Sequence, residues 1–185
     1  MASIELDLLN QPITEKMMQN KAQNLWKKIE KPACKNGQEY LTTLDSGGYR
    51  VSDWIIDISS RPNFTTESIS WPLPLVRVTL SSLGFTGPTH LIDFYEAATG
   101  EGGAGFEHPT PEVALALRLK YDEQPTGEWL RIGTKIGSMI DSDGVPHMPK
   151  LGKALGNFYI ETYWAYPQAI FHPHNEFVFV DRRLG

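Results

Sequence analysis

Apolar positions recur at helical spacing in one long stretch near the N-terminus. Met18, Ala22, Leu25, Trp26 and Ile29 stand at i, i+4, i+7, i+8 and i+11, which at about 100° per residue gathers them on one face. Thr14 is suited to cap such a helix and Glu15 to meet its positive end. Lys16, Lys21, Lys27, Lys28 and Lys31 fill the far side, and Pro32 stops the pattern ahead of the turn Asn36-Gly37. The spacing predicts a helix over 14–31.

Beyond Gly37 the period changes to two. Gln38–Leu44 and Tyr49–Ile58 read as strands around the turn Asp45-Ser46-Gly47-Gly48, a hairpin pattern. Residues 61–74, with Pro62, Pro72 and Pro74, read as a loop. Leu75–Leu80 and Leu91–Tyr95 are the next strands, and the glycine-rich run 98–105 is a loop. Thr110-Pro111-Glu112 carries the signals of a helix start. However, Val113, Leu115, Leu117, Leu119 and Tyr121 alternate strictly, and Pro125-Thr126-Gly127 leads into Glu128–Ile132. A strand hairpin is therefore favoured there over a short helix. Asp141–Gly144 is a turn and 145–156 a loop with Pro146 and Pro149; Phe158–Tyr166 and Glu176–Asp181 are the last strands.

Together these elements predict an α+β fold. An amphipathic N-terminal helix packs on a mostly antiparallel, strongly curved sheet, barrel- or sandwich-like, of about seven or eight strands. Residues 1–37 form an N-terminal arm and helix, and 38–185 a β-rich domain that makes one cooperative unit with it.

Composition narrows the function. The 185 residues carry 17 basic and 22 acidic side chains, a net charge of −5, so no general positive field gathers phosphates and nucleic acid is not an expected partner. The charge is uneven: 14–35 is basic, 36–185 acidic, a two-signed surface suited to a protein partner. The longest unbroken apolar run, Val113–Leu117, is far shorter than the ~20 residues of a membrane helix. The start Met1–Asn10 has Glu5 and Asp7 where a secretory signal needs basic and apolar residues, so the expected compartment is the cytoplasm. Cys34 is the one cysteine, which leaves no intramolecular disulfide; without a nearby histidine it reads as a small loop or core residue.

Few motifs carry chemistry. Gly100–Gly105 matches G-x-G-x-x-G but lacks a βαβ context, places Glu101 against any phosphate and is followed by Phe106–Pro109 before any helix; no nucleotide or other cofactor is expected. Asp141-Ser142-Asp143-Gly144 resembles a calcium loop, yet Met139 and Lys150 fall where it needs carboxylates. Residues two apart in an extended chain share a face, so His172, His174 and Glu176 are candidate ligands for zinc or iron. The nucleophile elbow, the P-loop and H-E-x-x-H are missing. Aromatic residues are concentrated in the β region, and Trp71, Trp54, Trp164 and Tyr163 are candidate anchors, Trp71 because Ser70-Trp71-Pro72 holds it in a turn. The reading that follows is a non-catalytic soluble binding protein of bacterial or phage type, inhibitor- or immunity-like, that recognises another protein. The alternatives are a small hydrolase or metal-dependent enzyme with a pocket in the curved sheet, using the His172 group or Glu107 and His108, and a glycan-binding module.

Overall fold

A computed structural model describes residues 24–62, 64 and 69–185. In chain order the elements are β1 (Lys27–Ile29), α1 (Gly37–Ser46), β2 (Arg50–Val51), α2 (Asp53–Ser60), β3 (Leu73–Thr79), β4 (Thr89–His90), α3 (Leu91–Thr99), α4 (Pro111–Arg118), β5 (Trp129–Ile132), β6 (His147–Ala154), β7 (Asn157–Trp164), β8 (Ile170–Phe171) and β9 (Glu176–Val180). Seven strands form one sheet in the order β1-β3-β9-β5-β6-β7-β2, while β4 and β8 pair separately. The large sheet is mixed: β5 runs parallel to β9 and β2 parallel to β7, and the other pairs are antiparallel.

The chain is α+β, but the sheet is neither closed nor strongly curled. It is open, with β1 and β2 at its edges, and helices cover both faces. Strand alternation explains the layers. Leu73 and Leu75 of β3, Val178 and Val180 of β9, and Leu151 and Ile160 pack under α1, α2 and α4. Val76, Val78, Phe177 and Phe179 point the other way, toward α3. There the Phe94 ring lies 4.9 Å from Phe177 and 5.9 Å from Phe179. A strand buried on both faces has no polar side, which is why residues 177–180 of β9 read as an unbroken apolar run.

Several expected elements differ. The expected N-terminal helix falls largely outside the described residues, and its described end is strand β1, paired antiparallel with β3 from Lys27↔Leu75 to Ile29↔Leu73. Here Ile29 is buried, and Trp26 meets the Tyr121 ring edge-on at 5.0 Å. The expected hairpin at 38–58 is the helix pair α1 and α2. Asn36 caps α1 by accepting from the Glu39 amide, and Ser52 caps α2 by accepting from Ile55. The same Asn-Gly chemistry that marks a turn here begins a helix. Leu91–Thr99 is helix α3 in place of a strand. Pro111–Arg118 is helix α4, with proline in its first turn and every residue from Glu112 to Arg118 buried. In place of the loop at 145–156 stands β6, and Pro149 is tolerated there. Its missing N–H falls beyond the last β5–β6 pair, Arg131↔Lys150.

Glu112 is the buried carboxyl of this core. It is 1% exposed, accepts from the Tyr40 hydroxyl at 2.9 Å, and its second oxygen has no partner. Burial raises its pKa, against the smaller opposing pull of the Tyr40 hydrogen bond. The folded state therefore favours the neutral acid, a contribution present below the ordinary carboxylate range and lost as pH rises through the folded-state value. Glu112→Gln keeps an acceptor for Tyr40 and removes this dependence. Urea midpoints at pH 4 and pH 7 are expected to show the wild type losing stability relative to Glu112→Gln as pH rises.

Candidate functional site

The β6–β7 hairpin carries the exposed aromatic residues. Its strands pair antiparallel over their full length, from Ala154↔Asn157 to His147↔Trp164. Paired residues share a face, so His147 and Trp164 lie together on the side bearing α2. Trp54, in the first turn of α2, places its ring 5.5 Å from that of His147. Trp54 is 49% and Trp164 61% exposed, whereas His147 beneath them is buried.

His147 is held from both sides. Its Nε2 lies 2.8 Å from an Asp141 carboxylate oxygen and its Nδ1 2.9 Å from the Thr162 hydroxyl. An ionised Asp141 accepts from Nε2–H, and Nδ1 shares the second hydrogen bond with the Thr162 hydroxyl. The His147 hydrogen bond is the first cause of a lowered Asp141 pKa, followed by a bond from the Val145 amide. The second Asp141 oxygen accepts from the Asp143 and Val145 amides, which fastens the 141–145 turn to β6. The turn expected at Asp141–Gly144 is thus a carboxylate-centred lock.

Tyr163 projects from the opposite face and is 39% exposed. Its ring lies 5.3 Å from Phe171, and the Arg131 guanidinium stands 5.4 Å from its centroid. The chain beyond β7 adds further apolar surface at the same end. Ala165 bonds back to Pro146, and Ile140 bridges to Pro146. The amide of Ile92 donates to Pro167, and Ile170 pairs with His90. Ile92, Ile140, Tyr166 and Ile170 are all exposed. Sequence reading missed the three isoleucines, because isolated isoleucines give no local signal of exposure. Of the anchors read from sequence, Trp54, Trp164 and Tyr163 surround the last residues of β7. Trp71 stands apart, half-buried against the core beside β3.

The other expected sites are differently engaged. The rings of His172 and His174 stack 6.0 Å apart in an exposed loop, while Glu176 forms an ion pair with Arg77, which also binds Glu128. Among the described residues no group of three or more His, Cys, Asp or Glu is placed to hold a metal ion. His108 is fixed between Thr99 and the Gly133 carbonyl, with burial lowering its pKa, and Glu107 pairs with Arg182. A cleft of about 500 Å³ opens between α1, β2 and α2, lined by Thr42, Asp45, Tyr49 and Arg50 among others. Among the described residues no helix is long and apolar enough to cross a membrane.

No family model, curated protein or solved structure matches the chain.

Proposed function

We propose that this is a non-catalytic binding protein that recognises another protein with the aromatic end of β7. The reading is carried by one observation: Trp54 and Trp164 stand exposed on one face of the end of β7 and Tyr163 on the other, with Tyr166 and Ile170 exposed in the chain that follows. Clustered exposed apolar groups mark interaction surfaces, and Trp and Tyr dominate binding hot spots because they bury much area at little entropic cost. An inhibitor- or immunity-like role of bacterial or phage type suits a small acidic protein, whose negative charge speeds its encounter with a basic target. The test is affinity capture from a lysate of the source organism, with native mass spectrometry of the complex. Trp54→Ala and Trp164→Ala are each expected to cost about 2 kcal/mol, so the pair, if additive, weakens binding by about 1,000-fold. A partner held equally by the double variant contradicts the reading.

A glycan-binding reading has a specific observation of its own. The Trp129 indole lies flat on β6, where a Cβ at Gly152 would stand 2.3 Å from the ring. Tyr159 is 5.9 Å from that ring, and Lys150, ion-paired with Glu161 at 3.3 Å, places its ammonium 4.6 Å from the ring centroid. An aromatic plate beside paired donors and acceptors suits a sugar ring. Glycan-array binding abolished by Trp129→Ala and retained by Trp54→Ala is the result this reading expects; a blank array removes it.

A further inference from the structure

We propose that the partner adds an extended, cationic segment to the outer edge of β7 over Glu161–Trp164. This rests on the protein-binding reading and supplies its mode of contact and the charge of the partner.

The edge follows from the topology. β2 pairs with only Tyr159 and Ile160 of β7; Ser52 donates to the Ile160 carbonyl, and the chain then leaves into α2. β7 continues to Trp164. Within a strand, the N–H and C=O of one residue point to the same side, and successive residues alternate. Since Ile160 faces outward to Ser52, Thr162 and Trp164 face outward as well. The opposite side confirms the parity: Ala165 donates inward to Pro146, and Thr162 stands opposite Pro149, which has no N–H to offer it. No described strand pairs with this edge beyond Ile160.

Exposed edges are commonly blunted by lysine, proline or a bulge. Glu161-Thr162-Tyr163-Trp164 contains neither lysine nor proline, its one charged residue, Glu161, is paired with Lys150, and it pairs with β6 without a bulge. It therefore offers two residues' donors and acceptors to an incoming strand, the arrangement used in strand addition. Alternate side chains of that strand would meet Trp164 and Trp54 on one face and Tyr163 on the other.

Charge selects the occupant. Asp53 opens α2 and Asp143 stands in the neighbouring turn, both exposed, and Asp141 anchors that turn by accepting from the Asp143 and Val145 amides. A second copy of this chain, paired edge to edge, would bring the same carboxylates into apposition. Lysine or arginine on the incoming segment complements them instead.

The test uses two synthetic ten-residue peptides of alternating valine and lysine or valine and glutamate, titrated into isotope-labelled full chain. The lysine peptide is expected to slow solvent exchange of the Thr162 and Trp164 amides at least tenfold at saturation. It should bind at least tenfold more tightly than the glutamate peptide, an advantage cut several-fold in the Asp53→Asn, Asp143→Asn variant. Unchanged exchange at both amides overturns edge addition, and equal binding of the two peptides overturns the cationic assignment. Either failure leaves the aromatic patch standing if the Trp54 and Trp164 variants still lose the captured partner; a partner they retain removes the patch as well.

Discussion

Arg118→Ala is expected to destabilise the protein by about 3–5 kcal/mol, the sum of a large core cavity and buried polar groups left without their partner. Arg118 is fully buried at the end of α4. Its guanidinium donates to Gln124 at 2.6 Å and to the carbonyls of Tyr121, Gly152 and Tyr159. The Phe158 ring lies 4.7 Å from its centre. Burial lowers its pKa, yet an arginine keeps its proton. Among the described residues no carboxylate is hydrogen-bonded to it; the Gln124 amide oxygen, backbone carbonyls and π-faces solvate the charge. Removing it takes the donor from the Gln124 side-chain oxygen and the Tyr121 carbonyl and opens a void between α4 and the β6–β7 hairpin. Arg118→Met, which refills much of the volume, is expected to recover part of the loss. Urea midpoints compare the three proteins; an alanine variant within 1 kcal/mol of wild type contradicts this account of the core.

Gly37→Ala is the second large effect, and its sign is diagnostic. In an open helix the change gains about 1 kcal/mol from propensity. Here a Cβ would stand 1.9 Å from the Ser59 carbonyl oxygen and 2.7 Å from the Phe64 ring. The first of these is backbone and cannot swing aside, so α1 must move off α2. The expected loss is about 3 kcal/mol. The displacement also reaches α2, which carries Trp54, so near-UV circular dichroism should change with the midpoint. A stabilised alanine variant would mean that the two helices do not meet this closely.

Legibility in the sequence followed the number of faces an element exposes. β3, β5, β7 and β9 were readable because apolar, β-branched and aromatic residues repeat there with strand character. α4 was not: buried all round, it satisfies period two and period 3.6 alike, and the alternation from Val113 to Tyr121 outweighed a correct start signal at Thr110-Pro111. α1 was hidden because Asn36-Gly37 serves a helix cap as readily as a turn. β6 was hidden by prolines that fall where the ladder needs no N–H. Candidate anchors could be named from residue type, but exposure is a tertiary property. Trp71 and Trp164 look alike in sequence, and only the packing separates a half-buried ring beside β3 from one that is 61% exposed. The His147–Asp141–Thr162 lock left no readable pattern either, since its members come from a turn and two different strands.

The most direct test of the central claim is a hydrogen–deuterium exchange footprint of the captured complex against the free protein. Protection concentrated in 53–56 and 161–166, with the β1–β3 side around Trp71 unchanged, is the predicted result. Protection centred on Trp71 or on the Trp129 face, with the end of β7 exchanging as freely as before, would contradict it.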